Sequence, residues 1–382
     1  MLDNLFFELI QVAIGMRICL SHTPTVDEWD ELYAMAKKQS LVGVCFAGIQ
    51  RLQQQRQEPL EMTYLTWMGM AAKIQQKNEV VNRQCAELGK RLKSEGYRYA
   101  ILKGQGVASL YKVSGSTSTS SAQAQRFQGS SDLSLLRQSG DIDVWVQNRS
   151  IPELVEYVKG LGVGYKATAA HVECEMFPDT DVELHADPAF FRSFRNDRKL
   201  KRWFQKEGFK FHVVSGFNVP SVEFNLVYMM VHMYHHVLFE GLGLRQLMDY
   251  YFVLRAANKE VPNGFKFQEV SNTIESLGMK KFASGILWVI DYVFGGMKPY
   301  ETIPLSLDEK VGKLLLDEIM QGGNFGHHDE KNRGLHGGTA VGRSLNGLKR
   351  NMKFFALGPW EILSSPLWST WHWWWRKRKG FK

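Results

Sequence analysis

The stretch Arg137-Gln-Ser-Gly-Asp141-Ile-Asp143-Val-Trp-Val146 constrains the fold of this chain more than any other. It is an apolar alternating run entered through a glycine and two carboxylates. On a β-strand, residues i and i+2 point to one face. Asp141 and Asp143 therefore project together, and Ile142 turns to the opposite face, into a core. Two carboxylates side by side repel unless a cation lies between them. A divalent metal is the usual solution, and Mg²⁺ takes oxygen ligands of this kind. Such a strand-borne pair suits phosphoryl or nucleotidyl transfer, in which metal ions stabilise the attacking and leaving oxygens. Taken alone, the pair is a weak signal, since many such pairs are solvated loop acids.

Further segments bear on the choice. Upstream, Tyr99-Ala-Ile-Leu-Lys103-Gly104-Gln-Gly106 reads as a short strand, a glycine turn and a helix start. Downstream, Asp181-Val-Glu183-Leu-His185 is a second alternating strand that offers a third carboxylate. Glu183 is the candidate, with Asp181, Glu173 and Glu175 as rivals. His185 shares its face and would contact phosphate, orient the acid, or serve as a hydrogen-bonded structural histidine. Lys103 and Arg137 are candidate triphosphate contacts, since Arg suits bidentate phosphate binding and Lys acts as a point charge. Their bland readings are surface and loop charges.

The chain has 382 residues, 44% hydrophobic and 23% charged, which is enough for a sizeable core in two or three subdomains. Cys19, Cys45, Cys85 and Cys174 are scattered without a Cys-x-x-Cys pair, which argues against a zinc knuckle or a disulfide framework. Reduced thiols, the acidic start Met1-Leu-Asp-Asn and the absence of a long apolar run point to a cytoplasmic protein without a transmembrane helix. The net charge of +8 favours anionic partners such as nucleotides or RNA, but part of it lies in the tail at Arg376-Lys-Arg-Lys379.

Periodicity predicts helices over 3–20 and 27–52, the second starting from a Thr25–Glu28 capping box, and one long helix or two over 59–95. Strands are expected at 99–103, 165–176 and 181–187, with a helix capped by Ser150 between the second acid and those strands. Helices follow over 222–257, 267–276, 280–294 and 306–321. Residues 112–136, rich in Ser, Thr, Gln and Gly, read as a mobile loop beside the site, either a lid that orders on substrate or a solvated, dispensable insertion. The Gly-rich Gly322–His328 stretch reads as a loop cap without a phosphate-loop signature. His232, His235 and His236 share one helix face and read as packed side chains rather than a zinc site. Arg245 and Asp249, spaced i and i+4, read as an ion pair or as lining of a nucleotide cleft. The tail at 368–379 mixes Trp and bases, which suits an anionic surface or a terminal helix packed on the body.

The order Leu102-Lys103-Gly104, Arg137-x-x-Gly140-Asp141-Ile-Asp143 and Val182-Glu183-Leu-His185 resembles the nucleotidyltransferase superfamily related to DNA polymerase beta. Within it, the chain is most similar to the bacterial family of uncharacterised nucleotidyltransferases. Met230-Val-His232-Met-Tyr-His235-His236 and Leu244-Arg245-Gln-Leu-Met-Asp249 continue the likeness. The resemblance implies an α+β fold: a polymerase-beta-like mixed-sheet core with helical N-terminal and C-terminal regions. It divides the chain into 1–96, a catalytic core at 97–215 and a helical region at 216–382. It also implies that Asp141, Asp143 and Glu183 hold two Mg²⁺ ions, with Mn²⁺ as a substitute, and that Gly104 forms the turn beside the phosphates of an NTP. Gln105 stands where the family pattern has a second small residue, and Gly106 follows. The implied reaction moves a nucleoside monophosphate to an acceptor that is a small molecule, RNA or protein. Its rivals are an inactive nucleotide-binding or interaction module and a toxin-like enzyme acting on RNA or protein.

Overall fold

The computed structural model of the chain describes residues 2–113, 133–207, 210–260, 264–295, 303–323 and 349–379. Most of the expected insertion at 112–136 and of the Gly322–His328 loop lies outside the described residues.

Four helices lead: α1 (Leu2–Ala13), α2 (Val26–Lys38), α3 (Val42–Leu52) and α4 (Glu61–Ser94). The Thr25–Glu28 capping box starts α2, with the Thr25 amide donating to the Glu28 carboxylate at 2.8 Å. The single helix expected over 27–52 is instead two. Ser40, at φ 56°, leaves helical space and separates them.

The sheet follows. Its strands are β1 (Tyr99–Ile101), β2 (Ile142–Val146), β3 (Tyr165–Ala167), β4 (His171–Cys174) and β5 (Val182–His185), in the order β1-β2-β5-β4-β3. Only the β2–β5 pair is parallel, so the sheet is mixed. Short helix α5 (Lys103–Ala108) leaves β1, and α6 (Ile151–Leu161) links β2 to β3. The run expected as one strand over 165–176 is a hairpin. The Thr168 hydroxyl accepts the amides of Ala170 and His171, both at 3.1 Å, which folds the chain back there.

Helix α7 (Phe194–Glu207) and the hairpin β6 (Phe211–Val214) and β7 (Phe217–Pro220) were not expected from the sequence. Only Leu200 and Phe204 of α7 are buried, so its apolar signal is thin. The hairpin turns through Ser215 and Gly216, both at positive φ, so a boundary at 215/216 cuts through it. Asn218 of β7 donates its side-chain amide to the Tyr99 carbonyl, which ties the hairpin to β1.

Helices α8 (Val222–Phe239), α9 (Leu244–Glu260), α10 (Phe267–Ser276), α11 (Lys280–Phe294), α12 (Glu309–Gly322) and α13 (Pro359–Lys379) complete the described chain. The helix expected over 222–257 breaks at Gly241, whose φ of 129° a helix does not accept.

The first and last helical regions share one core, in which residues of α1 and α3 lie with residues of α8, α9 and α11. Gln11 donates to the Val293 carbonyl, and Gln39 to that of Ile319. The sheet has a second core, made with the far half of α4 and with α6. Helix α4 spans both. Trp67, Ala71 and Ile74 enter the helical core, and Val81, Cys85, Leu88 and Leu92 enter the sheet core. Asn78, fully buried at the crossing, donates to the carbonyls of Leu135 (2.8 Å) and Arg137 (2.6 Å). That contact fixes the segment that leads into Asp141.

Candidate active site

Register decides which side chains meet. Across the sheet Asp143 stands beside Glu183, and Glu183 beside Glu173; one row on, Trp145, His185 and His171 align. The alternate residues Ile142, Val144, Val172, Val182 and Leu184 are buried in the sheet core. The acids therefore occupy the other face, with α8 near them. Asp141 lies one residue before β2 and is exposed.

At the centre, the Nε2 atom of His185 lies 3.0 Å from Asp143 Oδ1 and 3.2 Å from Glu183 Oε2. Lys103 Nζ lies 3.0 Å from the same Asp143 oxygen. Asp143 is 4% exposed, so its two cationic neighbours meet it out of water. Burial alone would lower the Lys103 pKa, but the charges of Asp143, Glu183 and Asp141 raise it. Burial also works against a charged His185, and its hydrogen bonds with Asp143 and Glu183 outweigh that, raising its pKa. Glu183 is pushed up by burial and pulled further down by the hydrogen bond from His185 and the nearby cationic groups. It is thus held ionised. Asp141 moves the other way. Desolvation beside the cluster, then the charges of Asp143 and Glu183, raise it to about 6, although the residue as a whole is exposed.

The turn after β1 carries Lys103 to this point. Lys103 sits at φ 29° and Gly104 at φ 38°, ψ −116°. A non-glycine residue in that region costs about 1–3 kcal/mol, and such strain gathers at functional sites. Gly106 has a steric reason: a first side-chain carbon there would stand 2.3 Å from the Ile101 carbonyl oxygen. Gln105, the departure from the family pattern, turns its amide to Asn82 of α4 at 2.6 Å and leaves the turn to the two glycines.

Arg137, expected as a triphosphate contact, is placed elsewhere. Its Nε and Nη2 donate to the two oxygens of Asp249 at 2.6 and 2.7 Å, and Nη1 donates to the Gln138 carbonyl. The Tyr111 hydroxyl donates to the same carboxylate. Asp249 thus pairs with Arg137 and not in the expected bridge to Arg245. The guanidinium near the entry to the acids is that of Arg245, 3.8 Å from where a side chain on Gly140 would begin. Burial, then the charge of Arg137, lower its pKa to about 10.

His171, not among the expected site residues, joins the cluster. Its Nε2 lies 4.0 Å from Glu183 Oε1. Among the described residues, His171, Glu183 and His185 place ligand atoms within 4.8 Å of one another. The alternation His171-x-Glu173 carried the signal, but only the hairpin pairing sets it beside Glu183. Tyr228 and His232 of α8 also face the cluster. Burial, then the charges of Asp143 and Glu183, raise the Tyr228 pKa, and burial, then Lys103, lower that of His232. His232 hydrogen-bonds His236 at 2.9 Å, and His236 Nδ1 lies 2.7 Å from Glu240. The histidine face of α8 is thus a hydrogen-bonded run.

The donor chemistry suits a divalent metal, and among the described residues the ligand atoms gathered within 4.8 Å of one another are those of His171, Glu183 and His185, not those of Asp141 and Asp143. Asp141, Asp143 and Glu183 supply the hard oxygens that Mg²⁺ requires, and His171 and His185 add the imidazole nitrogens that Mn²⁺ tolerates better. No curated protein and no solved structure matches the chain. A family model described as uncharacterised nucleotidyltransferase matches residues 25–116 and 133–295, well over half of the chain. Those residues run through both strands of the acid cluster and the helices behind it, and the chain belongs to that family of nucleotidyltransferases.

Proposed function

We propose that the protein transfers a nucleoside monophosphate from an NTP to an acceptor hydroxyl or phosphate, with Mg²⁺ or Mn²⁺ held by Asp141, Asp143 and Glu183. The observation that carries this reading is the row Asp143–Glu183 across the parallel β2–β5 pair, with Asp141 at its mouth. The acceptor oxygen bonds to the α-phosphorus, the bond to the β-phosphate oxygen breaks, and pyrophosphate leaves. The acceptor's proton passes to solvent. When bound, the metal polarises the phosphate oxygens and offsets charge on the leaving group.

The protein's own groups do the positioning. Glu183, held ionised, serves as a ligand. Lys103, from the β1 turn, and Arg245, from α9, supply positive charge near the acids. Gly104 keeps that turn free of side-chain bulk, so the backbone can approach phosphate oxygens. His185 bridges Asp143 and Glu183 and fixes their rotamers. Most of the catalytic effect of such a site is positioning and charge stabilisation.

A second reading rests on one observation: Lys103 and His185 already neutralise much of the acid charge. That arrangement also suits a module that binds nucleotides without turnover. Calorimetry of NTP binding, with and without Mg²⁺, on the wild type and on an Asp141→Asn/Asp143→Asn variant tests the site. Metal-dependent binding lost in the variant is expected. Equal binding by both proteins sinks the assignment, and tight binding with no pyrophosphate release against any acceptor class favours the module.

A further inference from the structure

We propose that helix α13 docks the protein on an anionic lipid surface. Trp360, Leu363, Leu367, Trp371 and Trp374 follow one another at steps of three and four, the spacing of a single helix face. All five are exposed, at 69, 56, 68, 40 and 51%. Soluble surfaces rarely leave such a contiguous apolar stripe bare. Met352 and Phe355, just before the helix, are exposed as well.

The stripe is not the face that holds the helix on the body. Trp368 stacks on Phe190 at 5.3 Å, His372 accepts the Ala169 amide at 3.2 Å, and Trp375 packs against the sheet core. Glu361, buried, accepts the amides of Arg192 and Ser193 at 2.7 and 3.1 Å. These contacts fix the rotation of α13 and turn the stripe outward.

Charge complementarity identifies the occupant. The helix ends in Arg376-Lys377-Arg378-Lys379, and its one acid, Glu361, faces inward. Lys377 and Arg378 sit over the rings of Trp373 and Trp374. Trp beside cations is the composition of a helix lying at the headgroup level, where the indole is half in hydrocarbon and half in water. Leu363 and Leu367 argue against a nucleic acid strand, because aliphatic side chains offer no stacking surface. A second copy docked in parallel would set one basic cluster against another. No helix of the described residues is long and apolar enough to cross a membrane, so the docked helix lies along the surface. Ala169, its contact on the β3–β4 turn, is two residues from His171, so docking holds the acid cluster close to the membrane.

Flotation of the full chain with phosphatidylcholine vesicles, with and without phosphatidylglycerol, tests this. The wild type is expected to float with the anionic vesicles, less so as salt rises. Trp371→Ser/Trp374→Ser is expected to weaken partitioning about tenfold or more. Lys377→Gln/Arg378→Gln/Lys379→Gln is expected to remove the preference for anionic lipid. All five positions are exposed, so unchanged melting temperatures separate lost docking from lost folding. The proposal is overturned by absence of flotation at low salt, by equal flotation of the Trp variant, by stripe-dependent binding of single-stranded RNA in place of vesicles, or by a stripe-dependent dimer that does not float.

Discussion

Arg137 and Asp141 stand four residues apart on one segment, yet they belong to opposite kinds of charge cluster. At Arg137 one guanidinium meets one carboxylate through two hydrogen bonds, the Tyr111 hydroxyl fills in, and water is excluded. Near Asp141, Asp143 and Glu183 share His185 and Asp143 also meets Lys103, and Asp141 is left raised to about 6 while Glu183 is pulled down. The Asp249 carboxylate, taken up by these donors, has nothing left to bind. A cluster whose carboxylates are pushed apart in pKa still has unmet demand for positive charge, which is the mark of a site. Sequence proximity to the acids therefore misassigned Arg137, and its two hydrogen bonds to Asp249 reassign it.

The largest expected effect falls on the Arg137–Asp249 pair. Arg137→Met strands Asp249 in the core and should cost about 3–5 kcal/mol of stability, as breaking one side of a buried pair does. Arg137→Met/Asp249→Leu should recover most of that loss. Denaturant unfolding checks both. If Arg137→Met instead leaves stability intact and weakens NTP binding, Arg137 is a phosphate contact and the contrast fails.

On the unbalanced side, Asp143→Asn should weaken metal-dependent NTP binding by about a hundredfold or more, since changes even to groups that only orient metal ligands cost 10–100-fold. Its melting temperature without metal should move far less than that of Arg137→Met. Mn²⁺ titration followed by electron paramagnetic resonance reads the metal directly. A variant that binds Mn²⁺ like the wild type removes Asp143 from the site.

Asn78 links the two clusters, because it holds the carbonyls of Leu135 and Arg137 from α4. Asn78→Ala leaves buried carbonyls without a donor, which costs about 1–3 kcal/mol. Metal affinity should fall as well, since the path into Asp141 loses its anchor. A loss of stability with unchanged metal affinity would show that β2 alone positions the acids.

What the sequence disclosed was local. The Thr25–Glu28 and Ser150–Glu153 caps, the apolar stripe of α4 and the alternation around Asp143 and Glu183 each depend on residues within a few positions of one another. What it hid depends on distance. Asp249 lies 112 positions from Arg137, and the i, i+4 spacing pointed to Arg245 instead. His171 reaches Glu183 only through the β4–β5 register. The shared core of the first and last helices likewise leaves no trace in either segment alone.

The smallest effect is the most diagnostic of imbalance. Asp141 in the folded protein titrates near 6, above the usual 3.8, because burial and then Asp143 and Glu183 disfavour its charge. The folded state therefore binds this proton more tightly than the unfolded chain does. The resulting stabilisation is full below about 3.8 and is lost as pH rises through about 6. Solvent at this exposed residue screens the effect, so the expected slope is shallow. Melting temperatures of the metal-free protein between those limits should fall with rising pH relative to Asp141→Asn, which has no proton to lose. Parallel curves would mean that Lys103 and His185 already balance the cluster. The acids would then differ from the Arg137–Asp249 pair in number but not in kind, and the module reading would gain over the enzyme.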